Sequence, residues 1–154
     1  MFIIEQETGE KHKVVIEPVI NEDYKRITKP TYFFNWKTEK KHTVYKLRRV
    51  DSDVILGLIS WVHDSKETRI EIKLLAVSIE NRGKGKQYDR IAGTLIAYVC
   101  REAIKQYGIM GCVSLVPKTE LKQYYITQYG MENAGYQIFL TGTPLLKMVN
   151  NYEL

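Results

Sequence analysis

Residues 74–103 read LLAVSIENRGKGKQYDRIAGTLIAYVCREA, and this stretch decides the fold. It begins with an apolar run that is typical of a strand, passes through a segment rich in glycine and lysine, and continues into a helical pattern. Apolar residues recur at every fourth position, at Ile91, Leu95, Val99 and Ala103. This period predicts an amphipathic helix of about five turns from Lys86 to near Gly108. The stretch therefore predicts a strand and a basic loop that opens a long helix.

The loop Arg82-Gly83-Lys84-Gly85-Lys86 has the composition of a phosphate-binding segment. Glycines let the backbone turn sharply and bring consecutive N–H groups near a ligand. A helix that starts directly after the loop would add unpaired N–H donors and the positive end of its dipole. The spacing fits neither GxxxxGK(S/T) nor GxGxxG. We predict a pyrophosphate site here, and the alternative is a glycine-rich turn with solvated lysines.

The rest of the chain predicts an α/β protein with a mixed central sheet flanked by helices, in one domain over residues 1–154. The predicted strands are Lys13–Ile16, Val44–Val50, Val54–His63, Glu67–Ser78, Cys112–Val116 and Gln137–Leu140. The other predicted helices are Asn21–Lys29, Tyr32–His42, Glu120–Tyr129 and a C-terminal helix through Leu145 and Tyr152. Pro30 is expected to end the first of these, and Gly130 to end the third.

Composition narrows the functional classes. Lys and Arg number 23 against 18 Asp and Glu, and the net charge of +5 suits a polyanionic ligand such as a nucleotide cofactor or a nucleic acid. The same excess is also typical of a solvated face. No apolar run reaches the ~20 residues of a membrane span, and no signal peptide is expected. Cys100 and Cys112 do not form a CxxC motif, and the three histidines are not clustered in the sequence. We therefore expect no disulfide, no metal, no membrane association and a cytoplasmic location.

The stretch at residues 74–103 resembles the acetyl-CoA-binding motif of the GCN5-related N-acetyltransferase (GNAT) superfamily. In that motif a strand reading L-x-V leads to R/Q-x-x-G-x-G/A and a long helix. Leu75 and Val77 match the strand, and Arg82 and Gly85 match the loop, whereas Gln87 stands where Gly or Ala is usual. The resemblance covers about residues 44–140 and includes a helix that ends Tyr129-Gly130-Met131, similar to the family's Y-x-x-x-G-F.

The resemblance implies the GNAT fold and an N-acetyltransferase that uses acetyl-CoA as co-substrate. It implies that backbone groups of Leu75, Ala76 and Val77 bind the acetyl and pantetheine amides like an added strand. The pyrophosphate would be held by Arg82, Gly83, Lys84, Gly85, Lys86 and Gln87. The acceptor would be an amine of a small molecule or a protein, and a homodimer is possible.

Two catalytic candidates follow from the resemblance. Glu71 lies four residues before Leu75, where some members carry a glutamate that accepts the proton of the amine. The family's tyrosine acid would fall at Ile126, so Tyr125 is the candidate after a shift of one residue. The alternatives are a surface carboxylate that pairs with Lys73 or Arg69, and a tyrosine that packs in the core.

Other residues leave further alternatives open. An aromatic group forms either the wall of the acceptor site or part of the core: Tyr32, Phe33, Phe34 and Trp36. His12, His42 and His63 have no motif context and are expected at the surface or in turns. The alternative functions are a GNAT-fold regulator that binds CoA without catalysis, and a basic nucleic-acid-binding module.

Overall fold

The computed structural model describes residues 1–154 and divides into two compact units. The first unit comprises Met1–Ser60 and Leu74–Leu95, and the second comprises Trp61–Lys73 and Ile96–Leu154. The single domain over residues 1–154 therefore stays a prediction. None of the helices combines the length and the apolar character that crossing a bilayer requires.

Nine strands and four α-helices make up the structure. The strands are β1 (Phe2–Glu5), β2 (Lys11–Pro18), β3 (Thr43–Arg49), β4 (Ile55–Asp64), β5 (Arg69–Val77), β6 (Tyr88–Asp89), β7 (Cys112–Leu115), β8 (Glu132–Ala134) and β9 (Gln137–Thr141). The helices are α1 (Lys29–Tyr32), α2 (Ile91–Tyr107), α3 (Lys122–Tyr129) and α4 (Gly142–Asn151).

The strands form one mixed sheet in the order β6-β1-β2-β3-β4-β5-β7-β9-β8. β5 and β7 are parallel, with Arg69 opposite Cys112 and Ile72 opposite Leu115. The pairs β1–β2, β1–β6, β2–β3, β7–β9 and β8–β9 are antiparallel. The mixed α/β sheet, the long central helix and the C-terminal helix that the sequence predicted are thus confirmed.

The two helices predicted between Asn21 and His42 are wrong. This segment contains only the single turn α1 and two 3₁₀ turns, Asn21–Lys25 and Trp36–Glu39. Pro30 lies in the first turn of α1, where the missing N–H is not needed, and so it begins a helix where it was expected to end one. Long-range contacts override the helical pattern, since the hydroxyl of Tyr32 donates to the carbonyl of Ile55 at 2.7 Å.

The aromatic segment divides between core and surface within the first unit. Tyr32 and Trp36 are buried and belong to a cluster with Val44, Leu58 and Ala76. The indole N–H of Trp36 donates to the carbonyl of Tyr32 at 3.1 Å, so both polar groups are satisfied inside the core. Phe33 and Phe34 are only half-buried. The core interpretation therefore holds for two of the four aromatic residues.

Three short strands were not predicted. β1 and β6 pair with each other through Ile4 opposite Asp89 and Glu5 opposite Tyr88. β8 is exposed along its whole length and exists only as the edge partner of β9. Such segments carry no alternating pattern of their own, because their backbone hydrogen bonds to a neighbouring strand define them.

Candidate functional site

The carboxyl end of β5 leaves one backbone edge without a ladder partner. Its pairing with β7 covers only Arg69–Ile72, because β7 ends at Leu115. The residues Leu75, Ala76 and Val77 lie beyond this register. The next residue, Ser78, donates its N–H to the carbonyl of Leu56 at 2.9 Å. Unpaired N–H and C=O groups of a strand can accept an extended ligand as an added strand.

The basic loop does not open the long helix, which corrects the sequence-based prediction. α2 begins at Ile91 rather than at Lys86, and β6 stands between the loop and the helix. Arg90 precedes the helix with a left-handed backbone (φ 80°). The first intrahelical bond runs from the N–H of Thr94 to the carbonyl of Arg90 at 3.0 Å, so the N–H groups of residues 91–93 are the helix's free donors. Because β6 pairs with β1, α2 begins several residues after the glycines. This pairing involves a distant segment of the chain, so the local sequence pattern does not predict it.

Gly57 brings the first turns of α2 close to the sheet. A Cβ at this position would lie 2.8 Å from Ile91 Cγ2 and 2.8 Å from Leu95 Cδ1, and 3.4 Å from the carbonyl oxygen of Ala76. Only glycine leaves room for this approach. Gly57 thus sets the distance between the start of α2 and the end of β5 within the first unit, a role that sequence analysis missed because a glycine inside a strand has several meanings.

Hydrogen bonds between residues 78–81 and residues 87–88 close the two ends of the basic loop, which we call its neck. The side-chain oxygen of Asn81 accepts from the N–H of Tyr88 at 2.8 Å, and its amide nitrogen donates to Ser78 Oγ at 2.8 Å. Asn81 and Ser78 are both buried. The N–H of Gln87 also donates to the carbonyl of Glu80 at 3.1 Å. These bonds fix the ends of the loop and leave its tip in solvent.

The basic loop carries three cationic side chains with different surroundings. Lys86 Nζ lies 2.8 Å from Asp89 Oδ1, which also accepts from the N–H of Arg90 at 2.9 Å. Burial opposes ionisation of Asp89, but the bond from Lys86 outweighs it and the pKa of this carboxyl is lowered. The guanidinium of Arg82 lies over the ring of Phe33, 4.1 Å from its centroid. Lys84 is exposed, and a Cβ at Gly83 or Gly85 would meet no heavy atom within 4 Å.

In the second unit, Glu71 is half-buried on β5 and paired with a lysine. Lys73 Nζ lies 3.2 Å from Glu71 Oε2. Arg69 is not its partner, because that guanidinium pairs with Asp64 at 3.1 Å and with Glu67 at 3.1 Å. β5 is one strand from Arg69 to Val77, in which residues 70, 72 and 76 are buried, and the catalytic role of Glu71 stays a prediction.

Also in the second unit, Tyr125 lies on α3 in a group of three tyrosines. Its ring centroid is 6.0 Å from that of Tyr124 and 5.8 Å from that of Tyr129. Tyr129 is buried, and burial first and then neighbouring Tyr124 raise the pKa of its phenol. Gly130 ends α3 with a left-handed backbone (φ 72°), as predicted. Tyr125 is half-buried and Tyr124 is exposed, so both phenols remain candidates for the acid.

One cluster of metal-ligating side chains occurs in the structure, at the β1–β2 hairpin. Potential ligand atoms of Glu5, Glu10 and His12 lie within 4.8 Å of one another. His12 Nε2 lies 3.2 Å from Glu5 Oε2, and this contact, followed by the bond from Thr8, lowers the pKa of Glu5. The hydrogen bond between Glu5 and His12 explains why these two side chains are close. His12 is half-buried and packs edge-on against Tyr88, and so has more contacts than the expected surface residue.

Comparisons with known proteins agree with the fold. No protein-family model and no curated sequence matches the chain. The solved structures that are similar include Naa50 from Arabidopsis thaliana in complex with the bisubstrate analogue CoA-Ac-MVNAL (TM-score 0.62, 18% identity, 83% of this chain and 98% of that chain). They also include the spermidine/spermine N-acetyltransferase SpeG from Vibrio cholerae in complex with manganese ions (TM-score 0.60, 12% identity, 90% and 96%). A third is the ribosomal-protein-S18-alanine N-acetyltransferase from Escherichia coli (TM-score 0.58, 10% identity, 82% and 91%).

These neighbours share the chain's fold over most of both lengths although their sequences have diverged. Identities of this size establish the fold and leave the activity open. The fold that the resemblance implied is confirmed: the chain has the fold of the GCN5-related N-acetyltransferases.

Proposed function

We propose that this chain is an N-acetyltransferase that transfers the acetyl group of acetyl-CoA to an amine, by direct attack in a ternary complex. The observation that carries the proposal is the unpaired edge of β5 at Leu75–Val77, followed in the chain by a basic loop and the start of a long helix. The neighbours support the same class, because they are acetyltransferases and one was solved with a CoA-containing analogue.

The proposed cofactor site lies within the first unit. The backbone of Leu75, Ala76 and Val77 would bond the amides of pantetheine as an added strand. The N–H of Leu75 would also donate to the acetyl oxygen as negative charge develops there. Gly57 supports this arrangement, because it lets α2 approach the end of the strand that would hold the thioester.

The pyrophosphate would be bound by the residues from Arg82 to Gln87 together with the first turn of α2. The loop contributes cations, and residues 91–93 contribute free N–H donors at the positive end of the helix dipole. The carboxylate of Asp89 accepts the N–H of Arg90 and places a negative charge beside the start of α2. The positive charges of Lys86 and Arg82 are therefore needed to favour an anionic ligand. The closed neck at Asn81 reduces the entropy that loop ordering would otherwise cost on binding.

The reaction would form a C–N bond and break the C–S bond of the thioester. The amine must lose a proton, and we propose that the Glu71 carboxylate accepts it through water. The departing sulfur must gain a proton, and we propose that the Tyr125 hydroxyl donates it. The products are the N-acetylated amine and free CoA. Alignment of amine and thioester supplies much of the rate enhancement in such a transfer.

A second candidate is a GNAT-fold protein that binds CoA and has lost catalysis. It is favoured by one observation: Ile126, which cannot donate a proton, stands at the position that the family's tyrosine usually takes. Glu71 is also engaged by Lys73. A protein with an intact cofactor site and no proton donor would bind CoA and acetyl-CoA without turnover.

A two-part experiment tests the proposal. Calorimetry with acetyl-CoA, CoA and duplex DNA should give saturable binding of acetyl-CoA and CoA only. Release of the CoA thiol in the presence of a panel of amines should report turnover. In the double variant Gly83→Val/Gly85→Val, binding should be lost while the circular dichroism spectrum is unchanged. Binding without turnover would favour the regulator, DNA binding alone would favour the nucleic-acid module, and undiminished acetyl-CoA affinity in the folded double variant would refute the loop assignment.

A further inference from the structure

Phe33 has a backbone conformation that its residue type disfavours. It caps the carboxyl end of α1 with φ 73° and ψ −29°, in the left-handed region. There the Cβ of a side chain crowds the backbone, which is why glycine is the preferred residue at this position of a helix. Local stability therefore does not explain a phenylalanine at residue 33, and strain of this kind is retained where the surrounding structure or the function requires the side chain.

The ring of Phe33 supports a cation of the basic loop. The guanidinium of Arg82 lies 4.1 Å from the ring centroid, in the geometry of a cation–π contact, and both residues belong to the first unit. α1 contacts the turn Ile79–Asn81, which directly precedes Arg82. The stack thus joins the aromatic segment to the first residue of the loop.

Stacking leaves the hydrogen-bonding capacity of Arg82 unused. The N–H donors of a guanidinium lie in its plane, so a ring on its face does not occupy them. Arg82 is exposed, and its guanidinium makes no hydrogen bond or ion pair in the structure. Lys86, in contrast, is paired with Asp89 at 2.8 Å. Arg82 is therefore held in place by a contact that does not compete with an anion.

We propose that Phe33 is a positioning residue, whose ring orients the guanidinium of Arg82 towards a phosphate group of acetyl-CoA. The proposal rests on the function proposed above and adds a residue from outside the loop. Orientation before binding raises affinity because the arginine loses less side-chain entropy when the ligand arrives. It also explains why an aromatic residue occupies a backbone position that favours glycine.

Three variants distinguish the effect of the aromatic ring of Phe33 from the effect of its strained backbone. Phe33→Leu keeps the strained backbone and an apolar side chain but loses the aromatic face, Phe33→Gly relieves the strain and loses the face, and Phe33→Tyr keeps the face. We expect Phe33→Leu and Phe33→Gly to raise the Kd for acetyl-CoA by about two- to fivefold, the size of an exposed cation–π contact, and Phe33→Tyr to retain it. Phe34→Leu, which changes the neighbouring half-buried aromatic residue, is the matched control and should bind as wild type.

Two further measurements, one with a truncated ligand and one in an Arg82→Ala background, distinguish a positioning role of Phe33 from general damage to the fold. Acetyl-pantetheine lacks the pyrophosphate, so its affinity should be unchanged in Phe33→Leu. In an Arg82→Ala background, Phe33→Leu should have no further effect. Equal losses for both ligands, or an affinity that follows Tm across the variants, would overturn the inference. Wild-type protein that fails to bind acetyl-CoA would refute the proposed function itself, whereas normal binding by both wild type and Phe33→Leu would refute only the role of Phe33.

Discussion

The side-chain oxygen of Asn81 accepts a hydrogen bond from the backbone N–H of Tyr88 at 2.8 Å, across the two ends of the basic loop. The same side chain donates to Ser78 Oγ, so one buried amide connects the end of β5, the loop and β6. The shape of the loop thus depends on a residue that precedes its glycines and is not itself basic.

Replacing Asn81 should loosen the loop. In Asn81→Ala the N–H of Tyr88 loses its buried acceptor, and we expect the Kd for acetyl-CoA to rise about tenfold, which corresponds to about 1.4 kcal/mol, with kcat unchanged. Calorimetry and steady-state kinetics measure the two quantities. Ser78→Ala, which keeps the bond to Tyr88, is the control and should have a smaller effect. Wild-type affinity in Asn81→Ala would show that the loop needs no clamp.

Adding a methyl group at Gly57 should displace the start of α2. The new Cβ would lie 2.8 Å from Ile91 Cγ2, inside contact distance, and we expect Gly57→Ala to lower the free energy of unfolding by about 1–3 kcal/mol. Gly85→Ala is the control, because its Cβ would meet no heavy atom within 4 Å and its φ is not positive. Urea denaturation compares them. Equal stability of the two variants would contradict the close packing of α2 on the sheet.

The role of Tyr125 can be separated from that of its neighbour. If its hydroxyl donates the proton to the departing thiolate, Tyr125→Phe should lower kcat by ~10²-fold or more with acetyl-CoA affinity preserved. Tyr124→Phe is the matched control, since its ring lies only 6.0 Å away on the same helix. A loss in Tyr124→Phe alone would assign the acid to that residue, and near-wild-type turnover in both would exclude the two tyrosines.

Glu71 makes a prediction about pH dependence. If its carboxylate deprotonates the amine, Glu71→Gln should lower kcat/KM near neutral pH, and the deficit should shrink at higher pH because free amine accumulates without a base. Glu67→Gln, another carboxylate with a cationic partner, serves as control and should leave the pH profile unchanged. A uniform loss across pH in Glu71→Gln would indicate a structural role of its ion pair with Lys73.

The buried ion pair between Asp23 and Lys46 should govern stability in acid. Burial opposes ionisation of Asp23, but hydrogen bonds from Lys46 at 2.6 Å and from the N–H of Ile20 outweigh it, and the folded-state pKa is lowered. A lowered pKa stabilises the fold above the unfolded-state pKa of about 3.9, and this contribution is lost as pH falls through the folded-state value.

Asp23→Asn should therefore destabilise the protein by about 3 kcal/mol at pH 7, because Lys46 loses a buried partner. The difference in Tm from wild type should begin to shrink below about pH 4, where this carboxyl becomes protonated in the unfolded chain, and should be lost as pH falls through the lowered folded-state pKa. Asp51→Asn removes a surface pair with Arg49, whose charges are screened by solvent, and should lower Tm much less than Asp23→Asn does. A difference in Tm that persists unchanged at pH 2 would contradict the ion-pair explanation.

The sequence by itself determined the parts of the fold that carry their own period. The spacing of Ile91, Leu95, Val99 and Ala103 predicted α2, because a helix buries every third or fourth residue whatever it packs against. Apolar runs likewise located β3, β4, β5, β7 and β9, and Gly130 located the end of α3. The L-x-V and R-x-x-G pattern predicted the GNAT fold, which the structure confirms.

Only the tertiary structure decided the details that surround the proposed site. The helix start at Ile91, the clamp at Asn81, the close approach at Gly57 and the stack of Arg82 on Phe33 all join residues distant in the chain or depend on a strand pairing. The segment 21–42 looked helical, but the bond from Tyr32 to Ile55 and the burial of Trp36 outweighed its propensity. Local patterns specify the elements, whereas long-range hydrogen bonds and packing determine where each element begins and which side chains meet.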